Sequence, residues 1–279
     1  MSKKIRKNLG SRIKELRTNL GFSQQEIAEK LSIPRPSVSQ IEKGERDVSA
    51  QELARLSEIF GMPMEKLLSG GLNIRKPQKT RSKGDIRITF FRHGEAVDDI
   101  YDQYGGWADP DLSPKGISKA YAIAQKLKEK GINFGIIFTS PLKRARLKAE
   151  VISRELDIDM KVVQYLKERN TYGLLCGMNK RVVKKRYPEL LKAYEDGDYV
   201  LGSERYQDFV DRLQLIFEYV KRSGMKDVCC ITHGKILKGI ISEFLGMKPD
   251  SLDDGCMLVV GLDKKGIYYV QSEGISFSK

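Results

Sequence analysis

The feature that most constrains this chain is the stretch at residues 86–95, IRITFFRHGE. β-Branched and aromatic side chains crowd its first six positions, and a short run of that composition predicts a strand buried on both faces. The run leads straight into Arg92-His93-Gly94-Glu95. A strand ending in an arginine and a histidine brings a cation and a nucleophile to the carboxyl edge of a sheet, where open α/β sheets bind ligands. A lone strand-end histidine is more often a satisfied structural group. The chain argues against that here, because it has only two histidines in 279 residues and the second, His233, follows another apolar run at 228–232.

The rest of the second half repeats this grammar. An apolar run at 135–139 ends in Ser140-Pro141-Leu142-Lys143-Arg144-Ala145, and a shorter one beginning at Val162-Val163 leads to Leu166-Lys167-Glu168-Arg169. Residues 257–262 and 267–271 read as a closing strand pair around Lys264-Lys265-Gly266. Between the strands, Ser113 with Pro114 begins a helix that runs to Gly131, a second follows Arg144 to about Leu156, and others are expected at 181–187, 208–222 and 236–245. Residues 97–116 read as a loop. Alternating strands and helices predict a three-layer α/β domain with a mostly parallel sheet over residues 85–279. Arg92, His93, Arg144, Glu168 and His233 each fall just past the carboxyl end of a predicted strand, so they can meet at one edge of that sheet.

That set suits phosphoryl transfer, which needs fixed cations around the equatorial oxygens and an in-line nucleophile. Arg92 and Arg144 can clamp oxygens bidentately, His93 can be phosphorylated when neutral, and His233 adds a donor. Glu168 can protonate a leaving alkoxide and then deprotonate water.

The same residues resemble the histidine phosphatase superfamily that includes phosphoglycerate mutases. The matching motifs are Arg-His-Gly-Glu at 92–95, Gly106-Trp107, Leu112-Ser113-Pro114-Lys115-Gly116, the 140–145 segment, Leu166-Lys167-Glu168-Arg169 and Thr232-His233-Gly234, in family order over about 86–271. The resemblance implies a phosphoglycerate mutase-like fold, phosphorylation of His93, a phosphate pocket of Arg92, Arg144 and His233, Glu168 as proton donor, and neither cofactor nor metal. Asp99 and Arg169 complete the expected substrate-binding set. The segments Tyr172-Gly173 through Lys180 and Glu204 through Asp208 lean towards mutase-like and sugar-phosphatase members. Four departures stand out: Asp99 where many relatives carry Asn, Lys148 for a frequent Thr, Lys235 after His233-Gly234, and Thr171 lengthening the Glu168 loop. They are expected in or beside the pocket rim.

The first third is a different kind of sequence. The formal net charge of the chain is +13, and residues 1–84 hold 18 Lys+Arg against 9 Asp+Glu. A basic excess concentrated in one segment points to a polyanion partner. Leu9, Ile13, Leu16 and Leu20 fall at helical spacing before Gly21; Ser23 and Glu26 make a capping box for the next helix; and a turn at Ser32-Ile33-Pro34 leads to Arg35–Gly44. Ser49 starts a fourth helix to Phe60, and 64–68 reads as a fifth. Gln24–Gly44, with Ser-Gln-x-Glu-Ile-Ala and then Ser-Val-Ser-Gln-Ile-Glu-Lys-Gly, resembles the helix-turn-helix of the Cro and phage-repressor family. That implies double-stranded DNA as partner, read by Arg35, Ser37, Gln40 and Lys43, with Gln24 on the backbone. A homodimer is expected if the operator is palindromic.

The organisation expected is therefore an all-α DNA-binding domain at 1–70, a basic linker at 71–84 and the α/β domain at 85–279. No run is long and apolar enough for a membrane span, and Cys176, Cys229, Cys230 and Cys256 lack metal-like spacing, so a reduced cytoplasmic protein is expected. The function expected is hydrolysis of a small phosphorylated metabolite through a phosphohistidine. The alternatives are mutase-type transfer and a transcription regulator that only senses such a metabolite.

Overall fold

Polar caps set two of the helix starts in the first third of the chain. Glu26 N–H donates to Ser23 Oγ at 3.1 Å while Ser23 N–H donates to Glu26 Oε2 at 2.6 Å, and the same reciprocal pair joins Ser49 and Glu52. The computed structural model describes residues 3–19, 22–60, 64, 67, 84–197 and 199–277. By its internal contacts the chain separates into two units, Met1–Asn73 and Ile74–Lys279. The stretch expected as a linker, apart from Gly84, and most of the expected fifth helix lie outside the described residues.

The first unit contains α1 (Lys3–Asn19), α2 (Gln24–Leu31), α3 (Arg35–Lys43) and α4 (Ala50–Phe60). Ile13, Ile27, Ala28, Val38, Ile41 and Leu56 are buried in its centre. α1 starts earlier than expected and passes through Gly10, where a Cβ would lie 2.1 Å from the Ile41 carbonyl oxygen. That glycine lets α1 and α3 touch backbone to backbone. Buried Glu42 then ties three helices together, accepting from Arg17 Nε at 2.5 Å and Gln24 Nε2 at 2.8 Å.

The second unit is built on a six-stranded sheet, in the spatial order Met160–Val162, Ile136–Thr139, Asp227–Thr232, Ile86–Arg92, Pro249–Asp263, Gly266–Phe277. β1 (Ile86–Arg92), β2 (Ile136–Thr139), β3 (Met160–Val162) and β4 (Asp227–Thr232) pair in parallel, while β5 (Pro249–Asp263) and β6 (Gly266–Phe277) are antiparallel. The run at 88–91 is buried on both faces because helices cover both. Ile88 and Phe90 pack in the core under Tyr206–Arg222 and Gly234–Leu245, and Phe91 packs in the opposite core under Pro114–Glu129 and Lys143–Leu156.

Four elements of the second unit differ from expectation. A helical turn, Val97–Ile100, interrupts the expected loop, with Asp99 Oδ2 accepting from Ala96 N–H. β3 ends at Val162, and a 3-10 turn at Gln164–Leu166 separates it from Glu168. A helix at Pro188–Glu195 went unpredicted; Pro188 opens it at a first-turn position that needs no amide donor. The closing strands are longer than expected at both ends, because register shifts at 249/252, 252/257 and 259/260 blur the alternation that marks a strand. No helix among the described residues is long and apolar enough to cross a membrane.

Candidate active site

Register places the site. Arg92 pairs with Thr232 and Thr139 with Ile231, so β2, β4 and β1 end side by side. His93 N–H donates to Thr232 O at 3.0 Å and Ser140 N–H to Ile231 O at 3.0 Å. Each chain therefore leaves the sheet at the same level. The two histidine rings meet edge to face with centroids 5.0 Å apart. Two glycines let this edge pack tightly on the next helix. A Cβ on Gly94 would lie 2.9 Å from Gly116 Cα, and one on Gly116 would lie 2.2 Å from Glu95 O. Glu95 completes the junction by accepting from Ser113 Oγ at 2.7 Å and Lys115 Nζ at 2.9 Å.

His93 is buried, with Nδ1 2.6 Å from its neighbour's carbonyl, Gly94 O. A carbonyl can only accept, so the ring proton sits on Nδ1 and the lone pair on Nε2. Burial, then the charges of Arg144 and Arg92, push the His93 pKa well below its ordinary value. The ring is thus neutral at neutral pH. Its lone pair meets Arg144 Nε at 3.3 Å.

Arg144, in the first turn of Lys143–Leu156, is held on its other side by two carbonyls, Ala108 O at 2.7 Å and Gly106 O at 2.9 Å. The Gly106-Trp107 motif therefore orients the arginine. It also reaches Glu168, since Trp107 Nε1 donates to Glu168 O at 2.7 Å. The Glu168 carboxylate accepts from Arg169 N–H at 2.9 Å and Lys235 N–H at 3.4 Å.

His233 is fully buried and its Nε2 lies 2.7 Å from Ser140 Oγ. Ser140 Oγ also accepts from Leu142 N–H at 3.2 Å and can still either donate to or accept from His233 Nε2; with the hydroxyl donating, the histidine proton is on Nδ1. Nδ1 is buried with no hydrogen-bond partner among the described residues. Burial, then Arg144, holds the His233 pKa well below the ordinary histidine value. Arg92 donates to Leu252 O at 2.7 Å and pairs with Asp254 at 3.1 Å, leaving its buried Nε unpartnered among the described residues. Two orphaned donors beside a neutral histidine make a cradle for an anion.

The other expected residues fall differently. Asp99 is exposed and caps its own turn. The Arg169 guanidinium lies on the rings of Tyr206 (4.8 Å) and Phe209 (5.3 Å), turned to that helix rather than bonded to the histidine pair. Lys235 Nζ donates to Thr171 Oγ1 at 2.6 Å and lies over Tyr172. Lys148, expected at the rim, is instead 1% exposed beneath the site. Two residues escaped sequence reasoning. Ser140 orients His233, and only register brings them together. Asp98 is a buried carboxyl facing Arg144, its pKa raised chiefly by burial, and its approach is allowed by Gly105. In the first unit, Arg35, Gln40 and Lys43 are exposed along α3 and Ser37 is half-buried, while the Gln24 amide is engaged by Glu42. Among the described residues, no three His, Cys, Asp or Glu side chains are grouped to hold a metal ion.

Comparison with known proteins agrees with this geometry. The family model described as histidine phosphatase superfamily (branch 1) matches residues 88–271, and one described as helix-turn-helix matches 13–67. The 2,3-bisphosphoglycerate-dependent phosphoglycerate mutase of Bartonella tribocorum is 30% identical over 176 residues, covering 59% of this chain and 84% of that protein. Among solved structures, the alpha-ribazole phosphatase of Shigella flexneri matches with TM-score 0.59 at 20% identity, over 68% of this chain and 96% of that one. The phosphoglycerate mutase of Bacillus anthracis matches with TM-score 0.56 at 19% identity, over 68% and 93%.

Proposed function

The chain belongs to branch 1 of the histidine phosphatase superfamily, and from that premise we propose that it hydrolyses a small phosphate monoester through a phosphohistidine on His93. The observation that carries the proposal is the state of that ring: neutral, its proton committed to Gly94 O, its Nε2 lone pair facing Arg144. Nε2 attacks phosphorus as the bond to the leaving oxygen breaks. Arg92 Nε, Arg144 and His233 Nδ1–H donate to the equatorial oxygens. Glu168 gives its proton to the leaving oxygen, then takes one from the water that attacks the phosphohistidine, which regenerates both groups. The loops from 97–113 and 166–177 shape the substrate side.

In this reading the α3 surface binds DNA through Arg35, Ser37, Gln40 and Lys43, and a cytoplasmic homodimer reads a two-fold operator. The level of a phosphorylated metabolite is then coupled to transcription. Replacing His93 by Ala should abolish turnover of an aryl phosphate and remove acid-labile phosphate from the chain. Unchanged turnover in the folded variant would reject the assignment. The identity to phosphoglycerate mutases favours one second reading, return of the phosphoryl group to a substrate hydroxyl. Partition of labelled phosphohistidine between water and an added phosphoglycerate separates the two.

A further inference from the structure

Lys148 is a buried cation that the proposed reaction does not use. It lies one turn beyond Arg144 on the Lys143–Leu156 helix and is 1% exposed. Its Nζ donates to the carbonyl of Arg92 at 2.6 Å and sits 5.0 Å from the Phe91 ring centroid. That carbonyl is the last of β1, immediately before His93. Lys148 therefore holds the peptide from which the nucleophile projects.

Among the described residues no carboxylate forms an ion pair with it, and the groups that act most on its charge are not carboxylates. They are the Arg92 guanidinium from β1, Cys229 from β4, Cys256 from β5 and Lys119 from the Pro114–Glu129 helix, and its charge is felt by His93. Arg144 precedes it on its own helix. Burial pushes the two thiols up, to about 12 for Cys229 and about 11 for Cys256, so they stay neutral. An ammonium taken out of water without an anion is costly. Burial accordingly brings the Lys148 pKa down to about 7.

We propose that Lys148 is a positioning residue for phosphoryl transfer: it fixes the strand end that aims His93, and the phosphoryl dianion supplies the counter-charge that the protein omits. The proposal rests on the phosphohistidine reading. Its consequence is linkage between two equilibria. In the free protein Lys148 sheds its proton as pH rises through neutrality. A dianion held by the neighbouring Arg92 and His93 favours the ammonium, so substrate binding and phosphorylation take up a proton from solvent.

The test uses the full chain and an aryl phosphate whose second ionisation is complete below pH 6. For the wild type, kcat/KM should fall about tenfold or more from pH 6 to pH 9, a shift of one unit being worth a factor of ten. The kcat profile should break at higher pH, because the bound dianion retains the proton. Lys148→Met should flatten the kcat/KM profile at the low value, and Lys148→Arg should flatten it near the high value. A wild-type profile with no ionisation between pH 6 and 9 would overturn the proposal without recourse to any variant. So would a folded Lys148→Met protein that keeps the wild-type profile. If the wild type forms no acid-labile phosphate, the functional reading itself fails; if it forms and the variant keeps the profile, only the role of Lys148 falls.

Discussion

Two buried histidines make the candidate site a liability for the fold in acid. His93 and His233 both have pKa values held well below the ordinary value by burial, with Arg144 the next cause for each. Below about pH 6.5 the unfolded chain takes up protons that the native rings refuse, so the unfolded state gains and stability falls as pH drops. Each suppressed histidine can cost roughly 2 kcal/mol between pH 6.5 and pH 5, at about 1.4 kcal/mol per unit. Urea unfolding should therefore show a steeper loss of stability from pH 7 to 5 in the wild type than in His93→Gln; equal slopes would contradict the buried neutral ring. The identities of these residues were readable from the sequence, since two histidines after two apolar runs have few innocent explanations. Their partners were not. Ser140, Asp98 and the Gly94 carbonyl become part of the site only through register and loop path, which no local pattern carries.

Between elements, the contact that matters most is the one where the end of β1 meets the helix Pro114–Glu129. Its signal was the pair of glycines in the Arg-His-Gly and Ser-Pro-Lys-Gly motifs, and the structure supplies the reason, backbone against backbone. Gly116→Ala should cost about 1–3 kcal/mol by overpacking. It should also lower kcat more than its destabilisation explains, because His93 moves with the strand end. A variant with wild-type melting temperature and turnover would show that the junction has slack. Strands covered on both faces and helices with Ser caps were legible in the same way, since local chemistry dictates them. The Pro188–Glu195 helix and the extended β5–β6 pair were not. The first has no fully buried residue, and in the second bulges interrupt the period of two.

At the scale of the molecule, an enzyme-family domain follows a helix-turn-helix, and each unit has its own hydrophobic core. DNA affinity should fall steeply with salt, as counterion release requires. Gln40→Ala should weaken specific binding by about 1–3 kcal/mol and relax discrimination at one base pair. Fluorescence anisotropy with cognate and scrambled duplexes checks both, and equal loss on the two duplexes would make Gln40 a backbone contact. By itself the sequence determined the two-part organisation, the strand–helix alternation and the five residues proposed for the reaction, because periodicity, caps and residue chemistry are local properties. Only the tertiary structure decided where the residues around them go: that Arg169 turns to an aromatic surface, that Asp99 caps a turn, and that Lys148 is buried beneath His93. Those outcomes depend on strand register and on which buried charges find partners, and both are set by contacts between residues far apart in the chain.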